Sequence, residues 1–170
     1  MTPDPLTFTP FTAADVPLLT RWLQAPHVRA FWDDGERGEA AVAASYGLPD
    51  SEMAELLMRV GGRPVGFLQT QEVGAGHEFA PWAAPAGESW ALDLLIGEED
   101  RTGQGLGPAL IRAFADHWRA QRPGLRRLII DPDERNVRAR RAYEKAGFVA
   151  AGMLDEAEGG RRLILTLDLP

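Results

Sequence analysis

Cysteine is absent from the sequence, which excludes disulfide scaffolds, cysteine nucleophiles and cysteine-ligated zinc or iron–sulfur sites. Histidine is scarce, and His27, His77 and His117 share no metal-ligand spacing, so we expect no metal centre. No apolar run approaches the roughly 18 residues that would span a bilayer. The first ten residues are acidic and proline-rich, unlike a signal peptide. Together these absences predict a cytoplasmic protein that binds neither metal nor membrane.

Basic residues are fewer than acidic ones, and the net charge is -7. This argues against a general nucleic-acid binder. The distribution of charge is uneven. Residues 101–145 carry 11 basic and 5 acidic side chains, whereas the rest of the chain carries 7 basic and 20 acidic ones. One part of the molecule could therefore face a polyanion and the remainder a cation, although a solvated surface with mixed charges explains the pattern equally well.

The 170 residues, 45% of them hydrophobic, suit one domain with a sizeable core, and we expect a single domain over residues 1–170 because repeats and linkers are missing. Apolar periodicity, caps and turn residues predict elements in the order β α α β β β α β α β β. That order predicts an α/β fold with one mixed sheet flanked by helices. The predicted elements are strand Leu6–Phe8, a helix from Thr12 to about Gln24, an irregular helical stretch His27–Tyr46 interrupted at Asp33-Asp34-Gly35, strands Met53–Val60 and Val65–Glu72, strand Trp90–Ile96, helix Pro108–Gln121, strand Leu128–Ile130, helix Asn136–Ala146, and strands Phe148–Leu154 and Leu163–Leu169.

Two features stand out around the strand Trp90–Ile96. Asp93 is its one charged residue, although the strand otherwise reads as buried. The preceding segment, residues 73–89, is longer than an ordinary connection, so it is either a functional loop or a mobile one. Trp82 and Trp90 flank this predicted acceptor loop and are candidate substrate contacts, while core packing is the alternative for both.

Three alternating glycines, Gly103, Gly105 and Gly107, lie between a buried strand and an amphipathic helix. Their backbone could curl around a phosphate at the start of the helix. The dinucleotide fingerprint needs glycine where this chain has Pro108, and the lysine of a phosphate-binding loop is missing. Close packing of a helix on a strand is the other reason for such glycines.

The helix that follows has a second pattern. Asn136, Ala139 and Tyr143 fall within about 60° of one another at 100° per residue, so they share a face along which an extended ligand could lie. Arg138, Arg141 and Lys145 form a basic stripe nearby. A buried tyrosine and a solvated cationic face are the structural alternative.

Together these two segments resemble the motifs of the GCN5-related N-acetyltransferase (GNAT) family. Arg101-Thr-Gly-Gln-Gly-Leu-Gly107 is similar to its pyrophosphate loop, with Thr102 where the family usually has Arg or Gln, and Asn136-x-x-Ala-x-x-x-Tyr-x-Lys-x-Gly-Phe148 is similar to its second cofactor motif. The resemblance implies the GNAT fold, with a central mixed sheet of about seven strands, and acetyl-CoA as the donor. The cofactor-binding residues that it implies are Leu95, Ile96, Arg101, Thr102, Gly103, Gln104, Gly105, Leu106, Gly107, Asn136 and Arg141.

Within the family, the chain resembles the aminoglycoside 6'-N-acetyltransferases. Gly66-Phe-Leu-Gln69, Leu92-Asp93-x-Leu-Leu and Asp131-Pro-x-x-x-Asn136 are similar to their segments, which implies that Asp93 and Asp131 contact an amino sugar. Residues 25–33 and 94–99 also resemble siderophore-type lysine N-acyltransferases, which usually have histidine in place of Asp93. We therefore expect transfer of acetyl to a primary amine of a cationic small molecule, with an amino sugar favoured.

The resemblance implies catalytic roles for Asp93 and Tyr143, the latter near the thioester sulfur. Proton transfer from a lysine-like ammonium group to an unperturbed aspartate is uphill by roughly 9 kcal/mol, so we expect Asp93 to orient the amine and to pass its proton to water. Tyr143 is mismatched with a thiol by only about 2 kcal/mol, so it can donate a proton to the leaving thiolate. We expect a backbone N–H group near Leu95 or Ile96 to polarise the carbonyl.

Several alternatives stay open at this stage. The acceptor could be a lysine-type siderophore precursor or a peptide, and the acyl group could be longer than acetyl. The domain could also be a module that binds acyl-CoA without turnover. A homodimer is compatible with the exposed edge strands of such a sheet.

Overall fold

The computed structural model describes residues 2–32 and 38–170. The turn predicted at Asp33-Asp34-Gly35 lies outside the described residues. The helices are the 3-10 turn η1 (Ala13–Asp15), α1 (Val16–Gln24), α2 (Pro26–Arg29), α3 (Glu39–Ser45), the 3-10 turns η2 (Ala80–Trp82) and η3 (Glu99–Arg101), α4 (Leu106–Gln121) and α5 (Val137–Ala146). The strands are β1 (Leu6–Pro10), β2 (Ala54–Val60), β3 (Arg63–Glu72), β4 (Glu88–Ile96), β5 (Leu125–Ile130), β6 (Val149–Asp155) and β7 (Arg161–Asp168).

Within the described residues, seven strands form one sheet in the order β1-β2-β3-β4-β5-β7-β6. Strand β4 pairs with β5 in parallel, whereas β1 with β2, β5 with β7 and β6 with β7 are antiparallel. The predicted mixed sheet of about seven strands flanked by helices is therefore confirmed. The register between β4 and β5 runs from Glu88 opposite Leu125 to Ala91 opposite Ile129.

The chain divides into two compact units. The first comprises the residues up to Gln69 together with Leu94–Thr102, and the second comprises Thr70–Asp93 and Gly103–Pro170. Strand β4 thus contributes Asp93 to the second unit and Leu95 to the first. The single domain expected from the sequence stays a prediction. No helix among residues 2–32 and 38–170 is long and apolar enough to cross a membrane.

The core of the first unit forms around α1, as the apolar stripe of that helix predicts. The Asp15 carboxylate accepts a hydrogen bond from the Thr12 N–H group (2.9 Å), which fixes the start of the helical segment. Trp22 is then buried against the carboxyl end of β4, where a Cβ added to Gly97 would lie 2.1 Å from the indole ring. Glycine is required at this position because any side chain would overlap the tryptophan.

The β2–β3 hairpin of the same unit turns at Gly61 and Gly62, with φ angles of 58° and 81°. Two consecutive positive φ angles define a tight hairpin turn whose twist matches the flanking strands. The hairpin carries Phe67 into the core, where its ring meets Phe11 at 5.2 Å and Tyr46 at 5.6 Å in edge-to-face contacts. This packing fixes β3 and therefore the strands that pair with it.

The second unit is built on α4 and β5. The buried side of α4 carries Leu110, Ile111, Phe114 and Trp118, as its predicted stripe requires. The segment between β3 and β4, predicted to be functional or mobile, is folded: Val73 and Phe79 join the buried cluster formed by Ile129 and Ile164.

Candidate functional site

The glycine loop of the second unit leads into α4. Gly103 and Gly105 have φ angles of 74° and 75°, which ordinary residues adopt only with strain, and Gly105 caps the helix. The helix begins at Leu106, two residues before the predicted start at Pro108, so the N–H groups of Leu106 and Gly107 belong to its first turn and have no intrahelical acceptor. These N–H groups and the positive end of the helix dipole favour an anion.

The glycine loop has open space next to Gly105 and the guanidinium group of Arg138 next to Gly103. A Cβ added to Gly105 would meet no heavy atom of the described residues within 4 Å. A Cβ added to Gly103 would lie 3.6 Å from Nη2 of Arg138, which projects from α5. Backbone donors, room for close approach and a guanidinium group are the features that a pyrophosphate requires, so the residues present fit that group. Arg141 and Gln104 are both exposed.

The start of α5 is fixed by Asn136. Its side-chain oxygen accepts a hydrogen bond from the Ala139 N–H group at 3.2 Å, which makes Asn136 the N-cap of the helix. Just before it, the Asp133 carboxylate accepts from both the backbone and the guanidinium group of Arg135. Because the oxygen of Asn136 serves the cap, its NH2 group is the part of the side chain that could make the predicted contact to the cofactor.

The end of α5 contains the remaining residues of the second motif. Gly147 closes the helix with a φ angle of 110°, a conformation that favours glycine, and the Phe148 N–H group then donates to the Tyr143 carbonyl oxygen at 3.0 Å. Arg112 of α4 donates to the Lys145 carbonyl oxygen and so ties the two helices together. This frame holds the ring of Tyr143, which is buried and lies 6.0 Å from the ring of Phe148.

Three predicted site residues act on one another electrostatically in this unit. Burial, together with the negative charges of Asp93 and Asp131, raises the pKa of Tyr143 well above its ordinary value. The tyrosine therefore keeps its proton throughout the physiological pH range and is available as a hydrogen-bond donor. The charges of Asp93 and Asp131 thus act on Tyr143, and the roles of the three residues stay predictions.

Asp93 is exposed, although the surrounding strand reads as buried in the sequence. The buried strand expected from the sequence agrees with the structure at Trp90, Leu92 and Leu95, and Asp93 is the one exposed residue of β4. Alternation places Asp93 on the face opposite Leu92, which is compatible with a charged side chain in this strand.

Asp131 is held in an ion pair. Its carboxylate contacts the guanidinium group of Arg162 on β7, which also contacts Glu78 and Glu156. Burial raises the pKa of Asp131, and the positive charge of Arg162 opposes that rise. The sequence analysis identified Asp131 but not its partner.

The two candidate tryptophans differ in placement. Trp82 is half-buried and lies over Gly152, where an added Cβ would come within 2.6 Å of Nε1. Trp90 is buried, with its ring 5.2 Å from that of Trp118 near the carboxyl end of α4, and its Nε1 donates to Glu88. Trp118 lies 12 residues beyond the start of α4, which is roughly 18 Å along the helix axis from the glycine loop. The burial of Trp90 agrees with the core packing that the sequence left as the alternative, and a contact of Trp90 with substrate stays a prediction.

The remaining predicted cofactor residues belong to the first unit. Leu95 is buried in its core, and the Ile96 carbonyl oxygen lies 3.0 Å from Nε2 of His27. The Thr102 hydroxyl group donates to the Glu99 carbonyl oxygen at 2.8 Å and so closes the turn that contains Arg101. Their roles toward the cofactor stay predictions.

Sequence reasoning missed three residues that the structure brings to these sites. Arg138 was identified only as part of a basic stripe. It lies three residues before Arg141 on the same helix, so the spacing allowed either residue to face the glycine loop. Arg162 and Glu78 carried no local signal, since Arg162 pairs with Asp131 and with Glu78, and all three residues are remote in sequence. As for metals, the described part of the chain contains no group of three or more His, Asp or Glu side chains that could hold an ion.

Comparison with known proteins adds independent observations. Residues 12–155 match the family model for the acetyltransferase (GNAT) domain. The chain is 28% identical to an aminoglycoside N(6')-acetyltransferase type 1 of Klebsiella pneumoniae over 92% of this chain and 80% of that protein. It is also 28% identical to the lysine N-acyltransferase MbtK of Mycolicibacterium paratuberculosis over 92% of this chain and 70% of that protein.

Among solved structures, AAC(6')-Ib in complex with paromomycin and acetyl-CoA superposes with a TM-score of 0.83 and 26% identity, covering 97% of this chain and 94% of that one. The match extends over nearly every element described above. The family model covers both cofactor motifs as well as the strands between which they lie. The chain therefore belongs to the GNAT family and is an acetyl-CoA-dependent N-acetyltransferase, as its two motifs predict.

Proposed function

We propose that this enzyme acetylates a primary amine of a cationic small molecule of the aminoglycoside type. The observation that carries the proposal is the group formed by Asp93, Asp131 and Tyr143: two carboxylates whose charges reach one buried, protonated phenol. Carboxylates attract and orient ammonium groups, and a protonated phenol can donate to a leaving sulfur. The names of the Klebsiella relative and of the AAC(6')-Ib complex point to the same acceptor class.

The second unit offers the donor a place to bind through its diphosphate. The N–H groups of Leu106 and Gly107 and the guanidinium group of Arg138 would hold that charge, and the NH2 group of Asn136 would hold the pantetheine arm. When bound, acetyl-CoA supplies an activated thioester carbonyl and a thiolate as the leaving group. The chain's own contribution is to fix the donor on preformed backbone geometry.

Asp93 would orient the acceptor amine. Taking its proton outright is uphill by roughly 9 kcal/mol for an unperturbed aspartate, and the exposure of Asp93 gives it water as the next acceptor. We therefore propose that Asp93 holds the ammonium group and that the proton leaves to solvent before the neutral amine attacks the thioester carbonyl carbon. The new C–N bond forms as the C–S bond breaks, and the second proton that the nitrogen loses passes through solvent to the departing thiolate.

Tyr143 would stabilise the departing sulfur by hydrogen bonding. The mismatch of about 2 kcal/mol expected for an ordinary tyrosine is enlarged here, because its pKa is raised by burial and by the two carboxylates. Full proton transfer is thereby less favourable than donation of a hydrogen bond. A bound ammonium group would offset the charges of Asp93 and Asp131 and so bring the pKa of Tyr143 back toward its ordinary value, which couples acceptor binding to leaving-group stabilisation.

A second acceptor class has comparable support. The lysine N-acyltransferase relative is as similar in sequence as the aminoglycoside relative, so lysine derivatives belong in the same test. Peptides and binding of acyl-CoA without turnover are the remaining alternatives. Homodimerisation and a cytoplasmic location also stay predictions from the sequence.

Release of free thiol from acetyl-CoA across a panel of amines tests the proposal. The panel contains several aminoglycosides, glucosamine, lysine and hydroxylysine derivatives, polyamines and short peptides. We expect turnover with aminoglycosides at a kcat/KM at least tenfold above that for the other amines. Turnover confined to lysine derivatives would contradict the proposed acceptor, and acetyl-CoA binding with no turnover on any amine would favour the binding module.

A further inference from the structure

One guanidinium group in the second unit contacts three carboxylates. Nη1 of Arg162 pairs with Asp131, Nη2 lies 2.8 Å from Glu78, and Nε lies 3.1 Å from Glu156. Each carboxylate therefore uses a different nitrogen of the same side chain. The four side chains carry a net charge of -2 when all are ionised, so the group is not an anion-binding site.

The backbone fixes Arg162 beside Asp131. The N–H group of Leu163 donates to the Pro132 carbonyl oxygen at 2.9 Å, and that of Glu134 donates to the Arg161 carbonyl oxygen at 3.1 Å. Residue 162 itself forms an isolated β-bridge with Asp133. Main-chain hydrogen bonds on both sides of Arg162 thus hold its backbone near Asp131. The guanidinium group would therefore leave Asp131 by rotation of the Arg162 side chain.

The three carboxylates differ in accessibility. The Asp131 side chain is 19% exposed, whereas Glu156 is 43% and Glu78 is 56% exposed. A half-buried carboxylate without a counterion is costly, because little water replaces the lost partner. If the guanidinium group left Asp131, it would still have Glu78 and Glu156 as partners at the surface. Only Asp131 would need a new cation.

We propose that Arg162 is a resident cation at Asp131 that competes with an ammonium group of the acceptor, and that it thereby determines specificity. The inference rests on the proposed function, in which Asp131 is an acceptor contact. An acceptor with a single amine engages Asp93 and leaves the Arg162–Asp131 pair intact. An acceptor that places a further ammonium group at Asp131 must first displace the guanidinium group toward Glu78 and Glu156.

The test compares Arg162→Gln with Arg161→Gln. Arg161 is the neighbouring residue on β7 and pairs with Asp155 at 3.4 Å, so its variant has the same charge change without a contact to Asp131. The probes are ribostamycin, which carries several amines, and glucosamine, which carries one. Dissociation constants come from calorimetry and KM from thiol release, and thermal unfolding confirms that each variant is folded.

We expect Arg162→Gln to lower the Kd and KM for ribostamycin about fivefold, with kcat and the values for glucosamine within twofold of the wild type. Arg161→Gln should leave all of these constants within twofold of the wild type. In the double variant Asp131→Asn/Arg162→Gln the gain should disappear, and Arg162→Lys should behave like the wild type because the cation is restored.

Weaker ribostamycin binding in Arg162→Gln would overturn the inference, as would an equal gain in Arg161→Gln or a gain that survives in the double variant. These outcomes are distinct from failure of the proposed function. If the wild type acetylates no amine, the proposed function fails, and the calorimetric comparison still decides whether Arg162 competes for Asp131. If aminoglycosides are acetylated and Arg162→Gln binds them no more tightly, only the inference about Arg162 fails.

Discussion

Tyr143 is buried in the second unit, and the negative charge of Asp93 adds to that burial in raising the pKa of its hydroxyl group. This relationship joins the two residues that the proposed reaction uses most directly. Burial and this carboxylate together favour the protonated phenol, so Tyr143 remains a hydrogen-bond donor when the acceptor binds. Binding of the acceptor and stabilisation of the leaving group are therefore linked by charge.

Replacing Tyr143 with Phe removes the proposed hydrogen bond to sulfur while keeping the aromatic ring. We expect kcat to fall about 100-fold and the KM for the acceptor to stay within twofold, because the lost interaction forms mainly in the transition state. Steady-state thiol release measures both constants, and thermal unfolding provides the folding control. A variant with full kcat would remove Tyr143 from the mechanism.

Replacing Asp93 with Asn should impair both binding and turnover of the acceptor. We expect KM to rise and kcat to fall, each about tenfold, because the neutral amide neither attracts the ammonium group nor passes on its proton. Asp116→Asn, an exposed change of the same charge on α4, serves as the control and should behave like the wild type. A raised KM with an unchanged kcat would limit Asp93 to binding.

Gly105→Ala tests the glycine loop. The Cβ would enter the open side of the loop, so we expect the KM for acetyl-CoA to rise about tenfold while the KM for the acceptor changes little. Gly159→Ala is the matched control, since Gly159 also has a positive φ angle (88°) and an added Cβ there meets no described heavy atom within 4 Å. If both variants raised the KM for acetyl-CoA equally, the loss would be due to backbone strain and not to the added Cβ in the glycine loop.

The contacts of Glu88 predict a pH-dependent contribution to stability. Hydrogen bonds from Trp90 and then from Arg122 hold the pKa of Glu88 below its ordinary value of 4.5. The carboxylate therefore stabilises the folded state above about pH 4.5, and this contribution is lost as the pH falls through the folded-state pKa. We expect Glu88→Gln to lower the free energy of unfolding by about 1 kcal/mol at pH 7.

Urea denaturation of wild type and Glu88→Gln at pH 7 and at pH 3.5 would measure that difference. It should narrow at the lower pH, since the contribution of the carboxylate decreases as the pH falls below 4.5 toward the lowered pKa of the folded state. A difference that stays constant across this range would mean that packing around Trp90, and not the charge of Glu88, is responsible.

Gly97→Ala tests the packing of the first unit. An added methyl group would overlap the ring of Trp22, so we expect a loss of about 2 to 3 kcal/mol in the free energy of unfolding. At Gly74 an added Cβ meets no described atom within 4 Å, and Gly74→Ala should change stability by less than about 0.5 kcal/mol. Urea unfolding of the two variants makes the comparison, and equal stabilities would contradict the contact.

The sequence predicts much of this fold because its signals are local. The stripe of α4, the cap at Thr12 and the Gly61-Gly62 turn each specify one element through neighbouring residues, and each agrees with the structure. Element limits are less well predicted. Strand β5 begins at Leu125, three residues before the expected start, because the charged residues Arg126 and Arg127 interrupt the apolar pattern of the strand. In the structure their side chains reach solvent or partners.

The candidate site is predictable where it consists of motifs. The glycine loop and the face of α5 follow from spacing, and the structure confirms that both Gly103 and Gly105 need positive φ angles. The burial of Trp90, the exposure of Asp93 and the Arg162–Asp131 pair were not predictable, because each depends on residues that are brought together across the sheet. Sequence spacing alone does not specify such contacts.

The most direct test of the central claim is to identify the product formed from acetyl-CoA and ribostamycin by two-dimensional NMR. We predict a single new N-acetyl group on one amine of the amino sugar, formed at least tenfold faster by the wild type than by Asp93→Asn or Tyr143→Phe. Ribostamycin recovered unmodified while a lysine derivative is acetylated under the same conditions would contradict this prediction.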